Sequence, residues 1–101
     1  MGVVAASRQE ATIEAVCTSA IARAEIVRNH WLEDFSAVMQ FPDVHFVDLC
    51  LTSRPHGARG RFADHWARHR YEQIGRAFMI PAGLAMDART SAGQQRALRV
   101  W

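Results

Sequence analysis

The stretch from Val44 to Gly83 constrains the fold most, because two strand-like segments flank a loop that is dense in arginine, glycine and histidine. The segments His45 to Thr52 and Tyr71 to Ile80 are rich in the alternating apolar and aromatic residues that are typical of strands. Between them, Ser53 to Arg61 is predicted to be a loop, since proline and glycine punctuate it. Together with a turn at Pro81-Ala82-Gly83, this order predicts neighbouring strands of an antiparallel sheet.

An N-terminal helix is predicted from Ser7 to Arg23. Ser7 and Glu10 match a capping box, in which two side chains satisfy the backbone donors at the start of a helix. The charges suit the helix dipole, with Glu10 early and Arg23 late. The apolar residues recur at the spacing of one helical stripe, and they are Ile13, Val16, Cys17, Ala20, Ile21 and Ala24.

Hydropathy alternates along the strand His45 to Thr52, so its two faces differ in character. The opposite face from its apolar residues carries Asp48, which we expect to be partly buried and to need a donor. Arg54 or Arg70 could bind this carboxylate as a planar fork. The predicted core face, closed by the helix or by Trp66, comprises Val47, Leu49, Leu51, Tyr71, Phe78 and Ile80.

The composition is that of one ordinary globular domain, with 101 residues of which 22% are charged. The net charge of +2 is too small to indicate nucleic-acid binding by itself, although all twelve basic residues are arginine. The cysteines, Cys17 and Cys50, lack metal-site spacing and are predicted to be buried thiols. Because neither a signal-peptide pattern nor a long apolar run is present, we expect a cytoplasmic protein that does not cross a membrane.

A possible metal site would use His65, His69 and Glu72, which are residue types that suit zinc, iron or nickel. In a strand, His65 and His69 would share a face from which Glu72 points away. We therefore predict no metal at this position.

The loop offers a second possible site, since Arg54, Arg59 and Arg61 lie there with His56. These residues could contact phosphate or an acidic ligand, or they could form a solvated turn that pairs with acids such as Asp64. No P-loop, dinucleotide-binding or nucleophile-elbow motif is present in the sequence, and apolar residues flank Cys50, so no enzyme is predicted.

The stretch from about Ala24 to Arg96 resembles the N-terminal, cupin-like region of AraC-family transcriptional regulators. The resemblance is carried by AEIVRNHW, by the strand VDLCLTSRP, by GARGRFADHWARHRYEQIG, and by FMIPAG followed by ART-SAGQQR. It implies a β-barrel-like domain that binds an effector or mediates dimerisation. In that family a C-terminal pair of helix-turn-helix motifs reads DNA, and this sequence lacks that part. The cupin metal motif, two histidines one residue apart and then a glutamate, is not matched.

The sequence thus predicts an α+β fold, with a helical segment at 1–23 and a partial cupin-like domain at 24–101 whose antiparallel sheet has five or six strands. Ending on Val100-Trp101 in mid-strand indicates a piece of something longer.

The predicted function is effector sensing or dimerisation for an AraC-type regulator, with self-association, no cofactor, and DNA contact only through the missing part. The candidate effector contacts are Arg59, Arg61, His65, Trp66, His69 and Tyr71. Two alternatives stay open. One is a small metal-dependent cupin-type enzyme, and the other is a nucleic-acid-binding module that uses the Arg54–Arg61 loop.

Overall fold

Two five-stranded antiparallel sheets form the fold, in a computed structural model that describes residues 3–5, 9–63 and 70–101. The strands in chain order are β1 (Val3–Ala5), β2 (Gln9–Thr18), β3 (Arg23–Trp31), β4 (Phe35–Gln40), β5 (Phe46–Cys50), β6 (Arg59–Ala63), β7 (Glu72–Gln73), β8 (Ala77–Ile80), β9 (Ala85–Thr90) and β10 (Gly93–Val100). Sheet I has the order β1-β4-β9-β6-β7, and sheet II has the order β2-β3-β10-β5-β8. The two inner faces enclose the core.

The predicted N-terminal helix is wrong, because its residues Gln9–Thr18 form β2 and none of the residues described by the structure is helical. A β-bulge explains the misleading spacing. Ile13 pairs with Val27 and Val16 pairs with Glu25, so Ile13 and Val16 share a face although they are three residues apart. The predicted α+β class is therefore replaced by an all-β sandwich. Ser7, the predicted helix cap, lies outside the described residues.

The N-terminal segment belongs to sheet II, since β2 pairs with β3 from Gln9 opposite Trp31 to Thr18 opposite Arg23. The predicted division between residues 23 and 24 falls inside β3, the strand that pairs with β2. Cys17 was predicted to be buried but is exposed, because β2 is the edge strand of the sheet. Cys50 is buried, as predicted, and its thiol donates to the carbonyl of Arg76 at 3.1 Å.

The main core cluster fills one end of the space between the sheets. It consists of Met39, Phe41, Phe46, Ile80 and Met86, with Phe62, Ile74, Phe78, Ala88 and Trp101 packed against it. The rings of Phe41 and Phe46 are stacked with centroids 4.6 Å apart, and Trp101 packs against both. A second cluster, formed by Trp31, Phe35 and Ala37, lies at the other end.

The predicted core face of β5 is wrong, because Val47, Leu49 and Leu51 are 37%, 39% and 45% exposed. Phe46, Asp48 and Cys50 are the residues that face inward. The reason is that the inward carboxylate of Asp48 is neutralised inside the sandwich, so the polar face of the strand can be the buried one. Phe78 and Ile80 do face the core, as predicted. Trp66 lies outside the described residues.

Candidate functional site

A cavity of about 80 Å³ lies between the two sheets. Its two walls differ in chemistry. Sheet I contributes mainly apolar side chains, including Phe35, Ala37, Met39 and Ala88. Sheet II and the loop after β5 contribute polar side chains, namely Gln9, Trp31, Asp48, Arg54, Gln95 and Arg99.

The polar wall forms because side chains alternate between the two faces of β3 and β10, and these two strands pair residue by residue. Gln95 is directly opposite Asn29, and both side chains are buried. The side-chain amide of Gln9 on β2 donates to Oδ1 of Asn29 at 2.7 Å. Trp31 lies two residues along β3 from Asn29 and therefore faces the same side. These strands place two amides and an indole inside the sandwich, where aliphatic residues usually lie.

Asp48 is the most strongly held group of the polar wall, since it is 2% exposed and binds two arginines. Nη2 of Arg54 donates to Oδ1 of Asp48 at 2.9 Å, and Nε of Arg99 donates to Oδ2 at 3.2 Å. The predicted pairing of Asp48 with Arg54 is thus confirmed. Arg99 reaches the same carboxylate because β10 lies beside β5, with Arg99 opposite Asp48.

Arg54 is turned inward rather than presented by the basic loop. Its Nε donates to the carbonyl of Gly75 at 2.6 Å, and its guanidinium lies 5.1 Å from the centroid of the Phe78 ring. Because the Arg54 side chain also binds Asp48, it is only 10% exposed to solvent. The Arg54–Arg61 segment therefore does not present its arginines as one surface.

Three of the predicted effector contacts, Arg59, Arg61 and Tyr71, meet on the outer face of sheet I. Arg61 pairs with Asp87 in the sheet, and Arg59 pairs with Arg89. The Arg61 and Arg89 guanidiniums lie over the Tyr71 ring, 4.7 and 4.3 Å from its centroid. The Tyr71 hydroxyl donates to Asp87 at 2.5 Å.

These three residues do not line the cavity between the sheets. His65, Trp66 and His69, the other predicted contacts, lie outside the described residues. The cavity residues Trp31 and Gln95, and the buried Asn29 beside them, were missed. The period-two spacing of Glu25, Val27, Asn29 and Trp31 in β3 was the signal that could have revealed an inward strand face.

A metal of the cupin kind does not fit the polar wall. Its groups are amides, an indole, and a carboxylate whose oxygens already accept from two arginines, whereas transition metals favour imidazole and thiolate ligands. Among the described residues, no three histidine, cysteine, aspartate or glutamate side chains are arranged to hold a metal ion. His65 and His69 of the predicted metal set lie outside those residues.

No protein-family model and no curated protein sequence matches the chain. Within the described residues, the structure contains no helix with the length and apolar character that a membrane crossing requires.

Solved structures that are similar in fold include two cupin proteins. One is a cupin-2 domain-containing protein from Shewanella frigidimarina NCIMB 400, with a TM-score of 0.51, 12% identity, and coverage of 91% of this chain and 78% of that chain. The other is a cupin superfamily protein from Desulfitobacterium hafniense DCB-2, with a TM-score of 0.55, 15% identity, and coverage of 90% and 75%. At these identities the similarity shows the fold alone, and the chain has a cupin-like β-sandwich.

Proposed function

We propose that the chain is a regulatory domain that senses a small molecule in the cavity between its sheets, as the N-terminal domains of AraC-type regulators do. The observation that carries this proposal is the set of buried polar side chains that sheet II turns toward the cavity. The cupin-like fold and the resemblance of residues 24–96 to AraC-family regulators support it further.

Buried polar groups are the strongest argument for a ligand at this position. Taking an amide or a charge out of water costs free energy unless a partner replaces the lost hydrogen bonds. Ligand sites are concave and mostly apolar, with a few polar groups that orient the ligand, and this cavity has that composition. Its volume of about 80 Å³ is well below the ~300–1,000 Å³ of drug-sized sites, so the ligand has only a few non-hydrogen atoms.

The proposal assigns no catalytic step to the chain. In the part of the cavity that the structure describes, the polar groups are amides, an indole, Arg89, and a carboxylate tied to two arginines. Thr90 also lines it, and its hydroxyl donates to the carbonyl of Ser91 at 3.1 Å. General base and nucleophilic chemistry needs a group that is free to take a proton or attack a substrate. These groups are better suited to holding a molecule than to changing it.

The sensing role is tested by adding propionate, propionamide, propylammonium and glycerol separately to the full chain and following the midpoint of thermal unfolding. We expect at least one of these four compounds to raise the midpoint until the effect saturates, since a ligand that binds only the folded state stabilises it. Ala88→Val, which narrows the cavity, should weaken that effect. Ala82→Val, at an exposed position in the turn after β8, is the matched control and should leave the effect of the ligand on the midpoint unchanged. If none of the four compounds shifts the midpoint, the proposed sensing role is wrong.

We also propose that the domain self-associates through the outer face of sheet II. Val47 lies opposite Met79 and Val100, and Leu49 lies opposite Leu98, so these apolar side chains are contiguous across three strands. Exposed apolar patches on this scale usually mark an interaction surface. We propose that a second copy of the chain covers this surface. A two-fold axis through the surface would place the uncharged residues of one copy against those of the other, so no like charges would face each other.

Sedimentation velocity over a range of concentrations tests the self-association. We expect the wild-type chain to form a dimer whose population rises with concentration, and Val47→Arg to weaken dimerisation by at least about tenfold, because it buries a charge at the interface. Val38→Arg introduces the same residue at an exposed valine on the outer face of sheet I and should dimerise normally. A wild-type chain that stays monomeric at every concentration would exclude this interface.

A further inference from the structure

Three buried N–H groups on the inner wall of sheet II find no hydrogen-bond partner within the part of the chain that the structure describes. They are Nδ2 of Asn29, Nε1 of Trp31 and Nε2 of Gln95. The three residues are 0%, 8% and 3% exposed. Because buried polar atoms are nearly always paired with protein or an ordered molecule, three unpaired donors at one place require an explanation.

The three donors lie next to one another on two adjacent strands. Gln95 is opposite Asn29, and Trp31 lies two residues along β3 on the same face. Trp31 and Gln95 both line the cavity. An indole N–H can only donate, so the group that satisfies it has to be a hydrogen-bond acceptor.

The charge at the polar wall favours an anion. Arg54 and Arg99 line the cavity together with Asp48, so two guanidinium groups face one carboxylate. Asp48 compensates one of the two positive charges. The buried Glu25, opposite Arg99 on β3, is itself paired with Arg23, so one positive charge remains. A cation would meet this positive charge and three N–H donors, whereas an anion would be attracted by both.

The opposite wall of the cavity determines the other end of the ligand. Phe35, Ala37 and Met39 line it from sheet I, and Ala88 lies beside them. These side chains offer no polar group, and the hydroxyl of Thr90, which lines the same wall, already donates to the carbonyl of Ser91. The part of the ligand that faces this wall is therefore apolar.

We infer that the cavity takes a short-chain monocarboxylate, with its carboxylate against the donors of Trp31 and Gln95 that line the cavity and its alkyl tail against sheet I. The two oxygens of a carboxylate offer about four acceptor sites, enough for both of these donors. The cavity volume of about 80 Å³ limits the tail to a few carbon atoms. This inference rests on the proposed function, because it names the class of molecule that the sensor cavity binds.

The test is an isothermal titration of the full chain with propionate, propionamide and propylammonium, three probes of matched size. We expect propionate to bind most tightly. Gln95→Glu places a like charge against the carboxylate and should weaken propionate binding by at least about tenfold. Gln94→Glu makes the same change at the neighbouring exposed position and should leave the affinity unchanged.

Trp31→Phe keeps an aromatic ring but removes the indole N–H. This second variant tests the inference even if Gln95→Glu does not fold. We expect it to weaken propionate binding by about tenfold as well. In the wild-type chain, the indole ¹H–¹⁵N signal that disappears in Trp31→Phe belongs to Trp31, and propionate should shift it.

The possible outcomes separate this inference from the proposed function. If propionamide or propylammonium binds and propionate does not, the cavity is a ligand site but the monocarboxylate inference is overturned. Propionate binding that is unchanged in both Gln95→Glu and Trp31→Phe also overturns it, since the carboxylate then lies elsewhere. If none of the three probes binds, the inference fails, and the proposed sensing role fails with it when glycerol also leaves the midpoint of thermal unfolding unchanged.

Discussion

The two sheets have opposite polarity across their faces. Sheet I turns Met39 and Met86 inward and places Asp87 and Arg89 on its outer surface. Sheet II turns Asn29, Asp48 and Gln95 inward and leaves Val47, Leu49 and Met79 exposed. Sheet I therefore follows the usual pattern of a half-buried antiparallel sheet, and the central part of sheet II reverses it.

This reversal shows that hydropathy alone does not decide which face of a strand is buried. The inward carboxylate of Asp48 is tolerated because Arg54 and Arg99 satisfy both of its oxygens. The apolar outer face of the same strand is then available to a partner. Sheet I is stabilised chiefly by apolar burial, whereas sheet II depends on a satisfied polar network as well, and the two sheets should respond differently to matched substitutions.

The largest difference is expected for the aspartates of the two sheets. Asp48→Ala removes the only carboxylate between Arg54 and Arg99 on the described cavity wall and leaves two largely buried guanidiniums without their counter-charge, so it should lower the free energy of unfolding by about 3–5 kcal/mol. Asp87→Ala on the outer face of sheet I loses the Tyr71 hydrogen bond and a more exposed ion pair. We expect it to lower the free energy of unfolding by only about 1–2 kcal/mol. Urea unfolding of both variants measures the difference. Equal losses would mean that the inner polar network of sheet II contributes no more to stability than the outer face of sheet I does.

A second comparison uses a methionine from each sheet. Met86→Ala removes a 4% exposed side chain from the core and should cost about 2–5 kcal/mol, since it leaves a cavity. Met79→Ala changes a 51% exposed residue on the outer face of sheet II. We expect the free energy of unfolding of its monomer to lie within about 0.5 kcal/mol of the wild-type value. Thermal unfolding at low protein concentration, where association is minimal, provides the measurement. A large loss in Met79→Ala under those conditions would contradict the assignment of this face as exposed.

Part of this architecture could be predicted from the sequence, and the predictable parts are local. The strand Phe46–Cys50 lies within the segment that alternation indicated, and Asp48 is buried beside Arg54 as expected. The turn after β8 is also present, with the amide of Leu84 bonded to the carbonyl of Pro81 at 3.1 Å. Gly83 has a φ of 81°, a left-handed value that glycine adopts without strain.

The parts that could not be predicted depend on contacts between distant residues. The bulge at Glu14 makes a strand resemble a helical stripe, and only pairing with β3 reveals it. The inward orientation of β5 depends on Arg99, which is 51 residues from Asp48 in sequence. The polar wall needs β3 and β10 side by side, so neither Asn29 nor Gln95 suggests a site by itself.

The outer face of sheet II also carries a charged corner, at the opposite edge from its apolar patch. Arg28 and Arg96 are directly opposite each other on β3 and β10, where like charges repel. Glu14, which the bulge inserts into β2, accepts from Arg28 at 2.6 Å and from Arg96 at 2.7 Å. The bulge thus supplies one carboxylate that neutralises a repulsive cross-strand pair.

The smallest predicted effect concerns this corner and its dependence on pH. The hydrogen bond from Arg96, with a further one from Arg28, lowers the pKa of Glu14 below its ordinary value of 4.5. A carboxyl group with a lowered folded-state pKa stabilises the fold fully above its unfolded-state pKa, and this contribution is lost as the pH falls through the folded-state pKa. Glu14→Gln should therefore be modestly less stable than wild type at pH 7, and the difference should shrink below pH 4.5. The control is Glu33→Gln, an exposed position between β3 and β4, for which urea unfolding should match wild type across the same range. A Glu14→Gln deficit that stays constant down to the acid limit would show that the corner is held by shape rather than by charge, and that the outer face of sheet II is less dependent on electrostatics than its inner face.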